Sequence, residues 1–216
     1  MTNLLWFVVF SCFLLHPTTL DTDVIENIPI DNKILTYNIG EFNETYELYK
    51  TLTDILIKHN IYSDELLFLL LGISAVETYN GQYLNNPVAR GLFQIEPKTA
   101  EFTLKKAQKN EEWLDLLEAT SWDGISLRKQ LRDNLEYQVI MLYMTLQVKG
   151  VNISKLQLNR NNLAEIWKKY WNTYKGKGTT NQFKRRWKEL NIDKIKQQHI
   201  INNFRNENGK TNKKEK

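Results

Sequence analysis

The architecture of this protein follows from the stretch SDELLFLLLGISAVET, residues 63–78. Ser63 is a typical N-cap residue, and the two acids that follow it suit the positive end of a helix. The eleven residues 66–76 carry no charge, so the helix that they form must be buried on nearly all sides. We therefore predict a central helix that the rest of the domain surrounds.

Apolar residues at helical spacing predict further helices on both sides of this one. The patterns cover residues 46–59, 97–108, 111–118, 126–148, 162–174, 181–190 and 193–204. The segment 126–148 carries two apolar stripes and is predicted to be a second central helix. Because no segment alternates convincingly at a period of two, the fold class is mainly α, with residues 43–190 forming a single domain.

Composition limits the classes of protein that remain. The chain has 216 residues, of which 42% are hydrophobic, as expected for one globular domain with short extensions. Cys12 is the single cysteine, so an internal disulfide is excluded. The three histidines lie far apart without an HExxH motif, and no phosphate-binding glycine loop occurs. Neither a metal nor a cofactor is expected.

The two ends of the chain differ in character. Residues 4–15 are apolar but too few to span a bilayer, and they resemble the core of a secretory signal. No Lys or Arg precedes them and no A-x-A-like site follows, so an apolar segment docked on the domain or on a partner is the alternative. Residues 1–20 are thus a possible signal or anchor, membrane contact is expected only through residues 4–15, and residues 21–42 are an acidic linker.

The C-terminal residues 191–216 form a basic tail. Residues 184–216 hold eleven Lys and Arg against four Asp and Glu. Such an end can hold a protein near polyanions, including the acidic polymers of bacterial walls, or it can be a solvated terminus. Nucleic acid is not expected as a partner, because aromatic residues are few there and no groove-reading motif is visible. Residues 206–216 are expected to be disordered.

Glu77 is the residue with the clearest chemical potential. It is the first charge after the apolar stretch, and it shares a helix face with Ile73 and Leu70. Desolvation and the negative end of the helix dipole both disfavour the ionised carboxylate, so its pKa should rise. A carboxyl that stays protonated near neutrality suits the proton donor of glycosidic cleavage. The alternative is a helix-end glutamate that points into solvent.

The residues around Glu77 resemble a known family. The stretch GISAVETYNGQYLNNPVARGLFQIEPKTAEFTL, residues 72–104, is similar to the core of lysozyme-like lytic transglycosylases and goose-type lysozymes, above all to phage-encoded peptidoglycan hydrolases. That family has a helix ending in Glu-Ser, a Gly-Leu-Met-Gln turn before a proline-led helix, and a later Tyr-Asn pair. The corresponding residues in this chain are Glu77-Thr78, Gly91-Leu92-Phe93-Gln94, Pro97 and Trp171-Asn172.

The resemblance spans roughly residues 62–190 and implies a lysozyme-like fold with Glu77 as the catalytic acid. It places Gln94 in the sugar-binding cleft, with Gly91 allowing close approach to the saccharide, and Asn172 near the reacting groups. Trp171 replaces the family tyrosine, whose role Tyr170 would have to supply. The implied substrate is bacterial peptidoglycan, cleaved between N-acetylmuramic acid and N-acetylglucosamine. The implied setting is the periplasm or cell wall, with phage virion or lysis proteins as possible partners.

Several alternatives stay open at this stage. Glu96 is the nearest candidate for the second carboxylate of a hydrolase, or else a charge that suits the first turn of the next helix. Without a second carboxylate the expected chemistry is transglycosylation. The aromatic residues Trp167, Tyr170, Trp171 and Tyr174 form one predicted stripe, for which core packing is favoured over sugar stacking. A non-enzymatic virion or wall-binding protein with the same fold is the rival function.

Overall fold

The structure, a computed structural model, describes residues 42–84, 86–121 and 126–211. The possible signal or anchor at residues 1–20 and nearly all of the predicted linker lie outside them. The described residues form nine α-helices, one 3-10 turn and one π-helix without a strand, which confirms the mainly α class. The α-helices are α1 Phe42–Lys58, α2 Asp64–Thr78, α3 Pro97–Ala107, α4 Glu111–Glu118, α5 Leu127–Asp133, α6 Leu135–Val148, α7 Arg160–Ile166, α8 Thr180–Glu189 and α9 Ile192–Thr211. The 3-10 turn is Ile153–Lys155, and the π-helix is Trp167–Asn172.

The helix α2 is the centre of the domain, as predicted. The Ser63 side chain accepts a hydrogen bond from the Leu66 amide at 3.1 Å, which caps its N-terminus. Leu66 to Leu71 are fully buried, and α8 provides the most extensive packing against them. The two helices approach so closely at Gly72 that an added Cβ would lie 2.1 Å from the Phe183 ring. A larger residue at Gly72 would therefore push α8 away from the core.

The predicted helix 126–148 is wrong as a single element, because it is broken at Asn134. This residue has φ −104° and ψ 97°, and its Oδ1 accepts a hydrogen bond from the Tyr137 amide at 2.9 Å. Its Nδ2 donates to the Thr120 carbonyl and to Gln130 Oε1, both at 2.8 Å. Asparagine favours such local caps over the helix interior, so α5 ends here and α6 begins. The second buried helix is confirmed for α6, which is buried over residues 137–142.

The predicted helix 162–174 changes its winding halfway. The α-helix α7 ends at Ile166, and the π-helix follows until Thr173, which has a φ of 61°. Lys168 closes this end by donating to Asn172 Oδ1 and the Thr173 carbonyl, both at 2.7 Å, and to the Gly176 carbonyl at 2.9 Å. The predicted aromatic stripe is not a single buried face, since Trp167 is 1% exposed and Tyr174 is 87% exposed.

The C-terminal segment contributes to the core. Ile192 and Ile195 of α9 are buried, and His199 hydrogen-bonds with Tyr49 of α1 and Asp64 of α2 at 2.7 and 2.8 Å. The folded unit therefore continues past residue 190. The helix runs on to Thr211, so the expected disorder is wrong for residues 206–211, whereas residues 212–216 lie outside the described part. Among the helices described, none is both long and apolar enough to cross a bilayer.

Candidate active site

Glu77 lies in the last turn of α2, with most of its side chain removed from solvent. The Trp167 indole Nε1 donates a hydrogen bond to Glu77 Oε1 at 2.9 Å. Within the described residues, this is the one hydrogen bond or ion pair of the Glu77 side chain. Burial raises the pKa of Glu77 to about 7, and the hydrogen bond from Trp167 offsets only part of that rise. The carboxyl therefore keeps its proton to a higher pH than an ordinary glutamate.

Trp167 is the partner that the sequence did not reveal. The residue is 1% exposed, and its ring packs against Phe183 of α8 with centroids 5.6 Å apart. The expectation that Trp167 packs in the core is therefore confirmed, but its contact with Glu77 was missed. The two residues are 90 positions apart, so no local pattern could have indicated their hydrogen bond.

The Gly91–Gln94 turn packs beside this pair. Arg90 and Ile95 form an isolated antiparallel bridge that closes the turn. Gly91 has a φ of 70°, and an added Cβ would lie 2.2 Å from both Gln138 Oε1 and the Leu131 carbonyl. The glycine is thus required by packing on α5 and α6, a reason different from the approach of a saccharide. Gln138 also accepts a hydrogen bond from the Leu92 amide at 2.7 Å.

Two hydrogen bonds join the turn to the helices around Glu77. The Thr78 hydroxyl donates to the Leu92 carbonyl at 2.8 Å, and the Trp171 Nε1 donates to the Phe93 carbonyl at 3.2 Å. Thr78 and Trp171 are both positions at which this chain differs from the family that its sequence resembles. The end of α2, the turn and the π-helix therefore form one connected site.

The predicted sugar-binding residues lie around the site, and none of them forms a hydrogen bond with Glu77. Gln94 has a φ of 51° and donates through Nε2 to the Gly91 carbonyl at 2.8 Å. Asn172 is partly exposed at the end of the π-helix, where its Oδ1 accepts from Lys168. Tyr170 is also partly buried, and the Lys169 ammonium lies 4.8 Å from the centroid of its ring.

Glu96 lies at the start of α3, on the surface. It is the N-cap residue of that helix, but its side chain makes no capping hydrogen bond. Burial lowers the pKa of Lys149, and the negative charge of Glu96 opposes this effect. The Lys149 ammonium lies 5.2 Å from the centroid of a Trp171 ring. Glu96 thus acts on this lysine through its charge and forms no hydrogen bond with Glu77 in the described structure.

The site presents one carboxyl group, which is largely buried and whose hydrogen-bond partner is a neutral indole. The described residues contain no group of three His, Cys, Asp or Glu side chains that could hold a metal ion. Comparison of the chain with protein-family models, curated proteins and solved structures found no match. What the site can do is therefore inferred from its geometry.

Proposed function

We propose that this protein cleaves the glycan strands of bacterial peptidoglycan between N-acetylmuramic acid and N-acetylglucosamine, on a lysozyme-like domain. The observation that carries the proposal is the Glu77 carboxyl, which is largely buried, has a pKa raised to about 7 and accepts a hydrogen bond from a neutral indole. Cleavage of a glycosidic bond needs an acid that still holds its proton near neutral pH. Glu77 meets this requirement.

The reaction that we propose is transglycosylation with a single glutamate. The Glu77 acid gives its proton to the glycosidic oxygen, the bond from that oxygen to C1 of the muramic acid breaks, and the glucosamine leaves with a free 4-hydroxyl. The Glu77 carboxylate then takes the proton of the muramic acid 6-hydroxyl while O6 bonds to C1. The products are a 1,6-anhydro ring and a re-protonated Glu77, so the acid is regenerated.

Two observations favour this route over hydrolysis with two carboxylates. Glu96, the candidate second carboxylate, is exposed, and its charge acts on Lys149. Burial and the Trp167 hydrogen bond account for the shifted pKa of Glu77, without a contribution from another described carboxylate. A retaining hydrolase would need a second carboxylate about 5–5.5 Å away, where it would also act on that pKa, and an inverting hydrolase would need one about 6.5–9.5 Å away.

The proposal also assigns the residues that would contact the substrate. Gln94, Gly91, Asn172 and Tyr170 would line the sugar-binding cleft, as the resemblance implies. The setting would be a phage lysis or entry apparatus, or a wall-remodelling enzyme that acts in the periplasm or cell wall.

The products released from purified peptidoglycan test the proposal. The full chain is incubated with the polymer, and the soluble fragments are separated by chromatography and identified by mass spectrometry. We expect 1,6-anhydro ends, and we expect them to disappear with Glu77→Gln, which controls for contaminating enzymes. Reducing ends instead would overturn the single-glutamate route and direct attention to Glu96→Gln. Binding to the polymer without any products would favour the wall-binding alternative.

A further inference from the structure

The π-helix directs two indole N–H groups at the two halves of the candidate site. Trp167 donates to the Glu77 carboxyl, and Trp171 donates to the carbonyl of Phe93 in the Gly91–Gln94 turn. π-helical turns are rare and are found frequently at functional sites. Here the π-helix supplies a donor to the acid itself and another to the turn packed beside it.

Trp167 is held in place from two directions. Its ring packs against Phe183 of α8, with 1% of the residue exposed. The three hydrogen bonds from Lys168 fix the far end of the π-helix. A buried indole N–H needs an acceptor, and Glu77 Oε1 is the acceptor that it has. The side chain therefore has little freedom to leave the carboxyl.

The indole N–H discriminates between the two protonation states of Glu77. It can donate but not accept, and a donor binds a carboxylate more strongly than a neutral carboxylic acid. Burial acts in the opposite direction, because it favours the neutral acid. An acid that is only buried would give up its proton reluctantly, whereas a donor at one oxygen stabilises the anion that proton transfer leaves behind.

We propose that Trp167 is a positioning residue for Glu77, which holds Oε1 in place, stabilises the ionised carboxylate and leaves Oε2 as the oxygen that exchanges a proton with the substrate. This proposal rests on the proposed function, since it assigns the two oxygens of the same catalytic group. It also gives a role to the π-helix that carries Trp167 and whose end Lys168 fixes.

Several charged groups on the surrounding elements have other partners. Lys168 of the π-helix is occupied by Asn172 and two carbonyls. Arg186 of α8 pairs with Glu189 and lies 4.8 Å from the centroid of the Tyr79 ring. Lys149, which follows α6, lies over Trp171, and the charge of Glu96 raises its pKa against the effect of burial. Arg160 of α7 pairs with Asp193, and Lys50 of α1 pairs with Glu47. Besides burial, the Trp167 hydrogen bond is the influence that shifts the pKa of Glu77, so its effect can be isolated by mutation.

The test measures the titration of Glu77 directly. The protein is labelled with glutamate carrying ¹³C in the side-chain carboxyl, and the Glu77 resonance is assigned by its loss in Glu77→Gln. In Trp167→Phe we expect the midpoint of the Glu77 titration to rise by about one pH unit, because a hydrogen bond to a charged group is lost. The matched control is Trp171→Phe, which also removes one indole N–H of the π-helix and should leave the midpoint unchanged.

The pH dependence of activity provides the second measurement. The basic limb of the pH–rate profile should move to higher pH in Trp167→Phe while kcat falls. If this variant does not fold, benzothienylalanine incorporated at position 167 keeps the bicyclic ring and replaces the N–H by sulfur. A Glu77 midpoint that stays the same or falls in a folded variant at position 167 would overturn the proposal.

The two measurements separate this proposal from the proposed function. An enzyme that cleaves glycan but whose Glu77 midpoint does not move contradicts the role of Trp167 alone. A protein that cleaves no glycan but shows the rise contradicts the proposed function, and with it the catalytic part of this proposal. A rise in the midpoint, together with a shifted rate profile, supports both.

Discussion

Two glutamates on the central helices have opposite surroundings, and the difference defines what each can do. Glu136 lies in the first turn of α6 and accepts hydrogen bonds from Lys58 and His59. Burial raises the pKa of Glu136, but the hydrogen bonds and charges of Lys58 and His59 outweigh burial and hold it below its usual range. Glu77 lies in the last turn of α2 with a neutral indole as its partner.

Helix position reinforces the contrast. An acid in the first turn of a helix is stabilised as an anion by the helix dipole, whereas one in the last turn is destabilised. Glu136 therefore has three influences that favour its charge, and its carboxylate joins α1 to α6 through Lys58. Glu77 lies at the negative end of its helix and has no cation as a partner among the described residues. Only the hydrogen bond from Trp167 favours its charge. Glu77 is also the more deeply buried of the two, so both the depth of burial and the supply of cations separate the structural carboxylate from the candidate catalytic one.

The largest effect that we expect is on the rate of glycan cleavage. Glu77→Gln preserves the size of the side chain but removes the proton donor, and the rate should fall by at least about 10²-fold. Glu136→Gln makes the same chemical change on the other central helix and should leave the rate of the folded protein within about threefold. Turnover of insoluble peptidoglycan measures both. A comparable loss of rate in the two variants would refute the distinction.

The next effect is on the pH dependence of stability. Because the pKa of Glu77 is raised to about 7, the stability that it contributes is present below its ordinary pKa and is lost as the pH rises through 7. Glu77→Gln should therefore match the wild type near pH 4 and exceed it by up to about 3 kcal/mol at pH 9. Urea unfolding at a series of pH values measures the difference.

The Glu136 variant should show the opposite sign. Its pKa is lowered, so the stability that it contributes is present above its ordinary pKa and is lost as the pH falls through the lowered value. Glu136→Gln should be less stable than the wild type at neutral pH, and the gap should narrow in acid. Parallel pH profiles for the two variants would contradict the assigned surroundings.

The smallest effect concerns the cations around Glu136. The Lys58 side chain is 58% exposed, so Lys58→Gln should cost less than about 1 kcal/mol and raise the pKa of Glu136. Added salt should reduce this difference, because exposed charges are screened. Lys50→Gln, which removes the exposed partner of Glu47, is the control and should have no larger effect. A loss that persists in high salt would mean that Lys58 contributes mainly by packing.

Much of the framework could be read from local patterns. The cap at Ser63, the uncharged run behind it and the proline that begins α3 each depend on neighbouring residues, and the structure has all three. The break at Asn134 was missed, because Leu131 and Leu135 keep helical spacing across it. That spacing reports which face is buried, but it does not report that a side chain has replaced the next backbone hydrogen bond.

The candidate site was predictable only in part. Local reasoning identified Glu77 because its burial follows from the residues of its own helix. It did not identify Trp167, whose place is set by the π-helix and by packing against α8. The exposed position of Glu96 likewise depends on how α3 leaves the turn. Contacts between distant segments thus account for most of what the sequence did not indicate.

Two residues that contact α2 lie far from it along the sequence, and this has a consequence for synthesis of the chain. Asp64 meets His199 across 135 positions, and Glu77 meets Trp167 across 90. The most apolar segment therefore leaves the ribosome long before the helices that cover it, and non-local contacts of this kind form late and slowly. A polypeptide that terminates early would contain the acid without its indole partner. If the proposed function holds, cleaving activity would consequently arise only once translation is nearly complete.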